Sequence, residues 1–283
     1  MLNIVAQQRK AKIFRDLHFN KSLLVLPNIW DPLGAALLED LGYPAIATAS
    51  ASIAYTHGVA DGENIKFSDL LILIKKITDS VSVPVTADIE SGYAHKDEEL
   101  QENIKRVLEA GVVGINIEDY DLKNKALFPV EIQCKRLQLV RQAAEKMGIP
   151  LFINARTDVY IKGTQWVSNE EKCEETSKRG KAYLEAGADG IYPITMNKKQ
   201  DIAQLVSALS APVNILAIPG IPDLKTLKEM GVARLSLGPG FLKVAIRAMK
   251  QAALQLKNGE GLSGVTENEL SNDYLKKLVS RSG

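Results

Sequence analysis

Two acidic residues two positions apart, Asp88 and Glu90, stand out in the stretch V-S-V-P-V-T-A-D-I-E-S-G-Y (81–93). Val83, Val85 and Ala87 alternate with Pro84, Thr86 and Asp88, with the β-branched density of a buried strand. Residues two apart on a strand point the same way, which predicts that Asp88 and Glu90 share one face at its C-terminal end. Two carboxylates so close repel, and one is forced neutral unless a cation lies between them. A hard divalent cation is the simplest way to keep both charged. Further strand-like runs end in Glu118 (G-I-N-I-E-D, 114–119) and Arg156 (N-A-R-T-D, 154–158). Three carboxylates suit Mg²⁺, with Mn²⁺ as an alternative, since both take hard oxygen ligands and keep several waters. The planar guanidinium fork of Arg156 matches a carboxylate or phosphate. Such a pair would hold a 2-oxo acid and stabilise charge on its oxygen as an enolate forms.

The elements that would position these groups recur along the chain. Strand-like runs cover 23–29, 45–50, 83–90, 114–119, 151–157, 190–196, 213–219 and 234–239. Amphipathic helical stretches follow at about 31–41, 67–79, 97–110, 129–147, 169–186, 198–209, 223–230 and 240–257. The phrases E-A-G-V-V-G-I, E-A-G-A-D-G-I and E-M-G-V-A-R-L each read as helix end, glycine cap, then strand. Eight βα units predict an α/β protein of the TIM (β/α)₈ barrel type, because parallel strands need helical crossovers. A doubly wound sheet would want a glycine-rich phosphate turn after the first strand, where the chain reads P-N-I-W-D-P-L-G. The expected organisation is one barrel domain over 1–283, with an N-terminal helix at about 3–19 and a helical tail at about 258–283.

In a barrel the C-terminal strand ends face the site. They supply Asn28, Asp31, Ser50, Ser52, Asp88, Glu90, Glu118, Asp119, Arg156, Asp158, Thr195, Asn214 and Ser236. Any one of these could instead cap a helix or satisfy a loop. Asp88, Glu90, Glu118 and Arg156 together are harder to explain so, because buried charges are costly unless paired or metal-bound. No histidine stands at a strand end to activate a serine, which argues against nucleophilic serine catalysis.

Composition narrows the classes. With 35 basic and 34 acidic residues the net charge is +1, so no basic footprint recommends a nucleic-acid partner. At 46% hydrophobic the chain can bury a large core, yet no apolar run approaches the roughly 20 residues of a membrane span. Two cysteines, Cys134 and Cys173, make no disulfide framework, and a reduced, cytoplasmic protein is expected. His18, His57 and His95 show no ligand spacing.

Seven phrases, in this order and spacing, resemble the isocitrate lyase/phosphoenolpyruvate mutase superfamily, most closely its phosphoenolpyruvate mutase-like subgroup. They are P-N-I-W-D-P-L-G-A (27–35), A-T-A-S-A-S-I-A (47–54), G-V-A-D-G-E (58–63), T-A-D-I-E-S-G-Y (86–93), G-I-N-I-E-D (114–119), N-A-R-T-D (154–158) and G-V-A-R-L-S-L-G-P (231–239). The resemblance implies a barrel whose eighth helix is exchanged between subunits, in a homodimer or homotetramer. It implies Asp88 as the direct Mg²⁺ ligand, Glu90 and Glu118 acting through bound water, and Asp61 in the same network. It makes Arg156 the grip on a small-molecule carboxylate substrate. Backbone N–H groups around Ala49–Ser50, with Ser52, would receive substrate oxygens.

Departures from the family pattern matter as much. The lyase loop K-K-C-G-H is replaced by Y-D-L-K-N-K-A-L-F (120–128), and Cys134 lies beyond it on a helix. Of the lyase phrase near the seventh strand only Asn214 survives, and the sixth strand reads Y-P-I-T (192–195), without the mutase histidine. Asn124 is an imperfect counterpart of the mutase gating-loop asparagine. The resemblance thus puts Asp61, Asn124 and Arg156 in catalysis, and Ser50, Ser52, Arg156 and Asn214 at the substrate. The expected activity is Mg²⁺-dependent cleavage or formation of a C–C bond, or less favourably a P–C bond, in a small 2-oxo or 2-hydroxy acid through a pyruvate enolate. The alternatives are a barrel that binds a metabolite without turnover, and a ketopantoate hydroxymethyltransferase-like transferase.

Overall fold

The protein is described by a computed structural model covering residues 3–267 and 269–280. Its parallel strands run, in chain order, Leu24–Leu26 with Asn28–Ile29, Ile46–Thr48, Val85–Asp88, Gly114–Glu118, Phe152–Thr157, Gly190–Pro193, Asn214–Leu216 and Arg234–Ser236. From Asn28–Ile29 to Gly190–Pro193 each strand pairs with the next. The last two pair with each other, and Leu24–Leu26 pairs with Arg234–Ser236. A single parallel bridge, Ile191 to Val213, joins the sixth strand to the seventh and completes the barrel.

The first strand closes the ring by serving two neighbours. Its Leu24–Leu26 half bonds to the eighth strand and its Asn28–Ile29 half to the second. Pro27 separates the halves, and a proline has no N–H to give either ladder. Asn28 adds a stitch: its Oδ1 accepts from the N–H groups of Leu237 (2.8 Å) and Gly238 (3.0 Å), while its Nδ2 donates to Thr48 O (2.7 Å).

Alternation along the strands sorts apolar from polar residues. Ala87, Ile115, Ile117, Ile153, Ala155, Ile191, Ile215 and Leu235 join the buried cluster formed with the surrounding helices. Intervening Asp88, Asn116, Glu118, Asn154, Arg156, Tyr192, Asn214 and Arg234 therefore face the barrel interior. The helices begin and end as their sequences dictate: Asp31 caps Pro32–Asp40 and Ser168 with Glu171 forms a capping box on Asn169–Glu185. Gly111 (φ 93°) and Gly187 (φ 103°) turn two helices into the following strands through a left-handed backbone that only glycine adopts without strain.

The N-terminal helix Ile4–Phe19 plugs the end of the barrel away from the carboxylates. Phe14 meets the Phe152 ring edge-on at 5.5 Å, His18 stacks on Phe152 at 4.0 Å, and Gln7 Nε2 donates to Leu108 O and Val112 O at 2.8 Å each. Phe14 fits because Gly114 lies beneath it; a Cβ there would meet Phe14 Cε1 at 2.5 Å.

Several elements lie outside the eight-unit pattern. A two-stranded hairpin, Tyr120–Asp121 with Ala126–Leu127, follows the fourth strand, and short helices cover Ser50–Thr56 and Val159–Lys162. In the tail, Ser263–Thr266 and Asn272–Val279 are helical, and Tyr274 OH donates to Asp40 Oδ2 at 2.9 Å. The eighth helix, Gly240–Lys257, buries only Leu242, and Ile246, Met249 and Leu256 on the same stripe stay exposed.

Candidate active site

The third strand ends at Asp88, and Glu90 does not continue it. Glu90 sits at φ 51°, in the left-handed region, so the two carboxylates do not share a strand face as their spacing suggested. The turn instead swings Glu90 under the loop that follows the second strand. There its Oε2 accepts from Glu63 N (2.6 Å) and its Oε1 from Tyr93 OH (2.7 Å). Glu63, itself at φ 56°, accepts from Ser91 Oγ (2.6 Å) and Tyr93 N (2.9 Å). The G-E pair at 62–63 lies in one of the phrases that carry the family resemblance, but its role depends on this turn.

Asp88 accepts from Ser50 Oγ at 3.2 Å and its N–H donates to Thr48 Oγ1 at 3.0 Å, which fixes the second strand against the third at the rim. Glu118, at the end of the fourth strand, lies opposite Arg156 in register and pairs with its Nη1 at 2.7 Å. On the other side Asp158 takes both Nε (2.7 Å) and Nη2 (3.0 Å) of the same guanidinium. Asp119 holds Asp158 in turn: its Oδ1 accepts from Asp158 N (2.8 Å), and its Oδ2 from Thr157 Oγ1 (2.8 Å), Tyr183 OH (2.7 Å) and Arg179 Nη1 (3.1 Å). Arg156 is thus braced through two layers of carboxylate.

The electrostatics are those of a crowded acidic site. Burial pushes Asp88 above the usual carboxylate range, against the pull of Arg156. Burial, with Asp61 and Asp88 nearby, pushes Glu90 up to about 7, although the Tyr93 hydrogen bond opposes the rise. Glu118 is raised well above its ordinary value by burial and by Asp158, Asp88 and Glu90, with Arg156 opposing. Burial works against the charge on Arg156, but Glu118 and Asp158 more than compensate and hold it firmly protonated. Carboxylates pushed upward in this way, with Arg156 as the cation pulling against the rise at Asp88 and Glu118, form a site short of positive charge.

That shortage is the test of a divalent ion. Among the described residues no three His, Cys, Asp or Glu side chains converge into a ready-made cage. Mg²⁺ does not require one, since it keeps several waters and takes one or two carboxylates. Asp88 as direct ligand, with Glu90 and Glu118 meeting bound water, fits that donor chemistry.

Other expected members fall elsewhere. Asp61 is exposed at the mouth and close enough to act on Asp88 and Glu90. Ser52 is buried on the short helix Ser50–Thr56 and its hydroxyl has no partner among the described residues. The N–H of Ala49, an implied oxyanion donor, is already bonded to Ile29 O at 3.2 Å. Asn214 begins the seventh strand rather than ending it, and its Oδ1 accepts from Ser236 Oγ at 3.1 Å inside the barrel. Asn124 stands at the exposed hairpin tip, where its Nδ2 donates to Asp121 Oδ2 at 2.6 Å. Asp31 serves as a helix cap, its Oδ1 accepting from Gly34 N at 2.6 Å, and Cys134 packs on a helix with Sγ 3.5 Å from Ala182 O.

The fold and this site define a (β/α)₈ barrel enzyme with an arginine–carboxylate centre at its C-terminal rim. Residues 14–257 match the family described as phosphoenolpyruvate phosphomutase, and the chain belongs to that family, within the phosphoenolpyruvate mutase/isocitrate lyase superfamily. It is 31% identical over 250 residues to an uncharacterized Mycobacterium tuberculosis H37Rv protein, covering 88% of this chain and 90% of that one. It is 27% identical over 273 residues to oxaloacetate decarboxylase 1 of Pseudomonas putida W619, covering 92% and 90%. A crystal structure from Burkholderia cenocepacia J2315, provisionally assigned as a phosphonomutase, superposes with a TM-score of 0.82 at 36% identity, over 89% of this chain and 99% of that one. Enzymes of this superfamily cleave C–C or P–C bonds of small acids and are generally metal-dependent. Among the described residues no helix is long and apolar enough to cross a membrane.

Proposed function

We propose that this protein is a Mg²⁺-dependent lyase that cleaves a C–C bond of a small 2-oxo or 2-hydroxy acid, of oxaloacetate-like size, through a pyruvate-type enolate. The observation that carries the reading is Arg156, braced by Asp158 and set opposite Glu118, with the half-buried Asp88 close enough to act on it. The ion would supply Lewis-acid polarisation of the substrate's keto oxygen, with Asp88, Glu90 and Glu118 holding it.

The chain's own groups do the rest. Asp158 keeps two edges of the Arg156 fork fixed, and the Nη1 bond to Glu118 is the one an incoming carboxylate exchanges with. The guanidinium then stays within reach of oxygen charge as it develops, at no cost in reorganisation. Ser50 holds Asp88 at the rim, while Glu63 and Tyr93 lock Glu90. C–C rather than P–C cleavage is favoured because the sixth strand offers Tyr-Pro-Ile-Thr where the mutase carries a histidine.

We further propose that the protein works as a homodimer or homotetramer in the cytoplasm, with Gly240–Lys257 exchanged between subunits. The stripe Leu242, Ile246, Met249 and Leu256 has helical spacing, and the helix carries it away from its own barrel after Leu242. The test of function is calorimetric binding of oxalate, an enolate stand-in, with and without Mg²⁺, followed by turnover assays on oxaloacetate, 2-methylisocitrate and phosphonopyruvate. Mg²⁺-dependent oxalate binding that disappears in Asp88→Ala supports the reading. Equal binding by that variant would sink it.

A further inference from the structure

One polar side chain on the inward face of the sixth strand has no part in the chemistry above. Tyr192 lies directly opposite Arg156 in the parallel ladder, and Arg156 lies directly opposite Glu118. Alternation along the three strands puts all three side chains on the interior side at one level of the barrel. The Tyr192 ring packs with Ile194 and Leu216, and the residue is 4% exposed.

Its hydroxyl has no hydrogen-bond partner among the described residues. Other phenols near the site do better: Tyr183 donates to Asp119 at 2.7 Å, Tyr93 to Glu90 at 2.7 Å and Tyr160 to Asp201 at 3.1 Å. The hydroxyl oxygen is accessible rather than sealed in the core, so it is open to a small molecule that enters the barrel mouth. Arg234 lies near enough to act on the hydroxyl. This arginine is fully buried, its Nε donates to Ser236 Oγ at 2.9 Å, and its Nη1 and Nη2 have no partner. Both Arg234 and Arg156 act electrostatically on the Tyr192 phenol, with Asp88 acting in the opposite sense.

We propose that Tyr192 is a substrate-binding residue whose hydroxyl donates a hydrogen bond to an oxygen of the same small acid that Arg156 grips. This rests on the reading of the site given under the proposed function. It identifies the sixth strand as a wall that recognises a carboxylate or enolate oxygen.

The test is calorimetric titration of oxalate in Mg²⁺ on wild type, Tyr192→Phe and Arg156→Met, with thermal unfolding of each protein free of oxalate. Tyr192→Phe removes one oxygen that bonds to nothing in the protein, so its midpoint without oxalate stays at the wild-type value. Its affinity for oxalate falls by about tenfold or more, as for a lost hydrogen bond to a charged ligand. Equal affinity in Tyr192→Phe and wild type, with Arg156→Met abolishing binding, overturns the role of Tyr192 and leaves the site reading intact. A marked loss of stability without oxalate in Tyr192→Phe also overturns it, by showing an internal partner. Wild type that fails to bind oxalate in Mg²⁺ overturns the site reading itself.

Discussion

Stability below neutral pH should depend on one imidazole at the barrel floor. His18 is 4% exposed, stacked on Phe152, and hydrogen-bonded through Nδ1 to Phe14 O at 2.8 Å. Burial and the nearby charge of Arg234 bring its pKa from 6.5 to about 3. The folded state therefore keeps His18 neutral, while the unfolded chain takes up a proton below about 6.5. The sign follows: its contribution is intact above pH 6.5 and lost progressively as pH falls toward 3. At about 1.4 kcal/mol per pKa unit, the loss from pH 7 to pH 5 is about 2 kcal/mol. For a chain of this size that moves the unfolding midpoint by roughly 4–8 °C. Glu90, pushed up to about 7, titrates with the opposite sign across part of the window. The informative quantity is therefore the difference between proteins. Wild type, His18→Phe and His18→Gln would be unfolded by urea at pH 7 and pH 5, followed by the fluorescence of Trp30 and Trp166. Both variants should lose about 2 kcal/mol less than wild type over that interval. The same pH-dependent loss in all three would refute the assignment of a neutral, buried imidazole.

Further expectations concern other parts of the molecule. Arg156→Lys keeps the charge but not the fork held by Asp158, and should weaken Mg²⁺-dependent oxalate binding by about a hundredfold in calorimetry; unchanged affinity would remove Arg156 from the site. Gly114→Ala sets a methyl group against Phe14 and Thr86 and should cost about 1–3 kcal/mol in urea unfolding, a loss that Phe14→Leu in the same chain should relieve. Asp119→Asn leaves Arg179 without one of its two carboxylates and slackens the Asp158 brace; about 3 kcal/mol of lost stability, with weaker oxalate binding, is expected. If the proposed oligomer forms through this stripe, Ile246→Asp should give a monomer in light scattering where wild type gives a dimer or tetramer; an unchanged mass would show that the stripe is not the interface.

The eight βα units could be read from sequence because the alternation of strands, the helical periodicity and the capping glycines are all local. Asp88, Glu118 and Arg156 were legible for the same reason, each lying at or near the end of an apolar run. Glu90 was misplaced because two-residue spacing implies a common face only while the backbone stays extended, and at Glu90 it turns left-handed. Glu63 lies in a phrase that carries the family resemblance, but its role could not be read, since its partners lie 28 and 30 residues away across that turn. Asn214 was read as a strand end, but the strand begins there, and only pairing with Arg234 reveals the difference. The sequence assigned Tyr192 no role beyond its place in Y-P-I-T; its setting opposite Arg156 is a property of the assembled interior.

The divided first strand also sets a clock on synthesis. One half of it can dock on the second strand almost as soon as both have emerged. The other half must wait for Arg234–Ser236, and the Asn28 side chain for a backbone N–H 209 residues downstream. At ribosomal rates of about 5–20 residues per second, that is an interval of roughly 10–40 s in which Leu24 and Leu26 have no strand to join. Contacts this distant in sequence form late and slowly. The nascent chain thus spends most of its birth as an unclosed sheet with an apolar edge, and its exposure to misassembly is concentrated in the time before the eighth strand arrives.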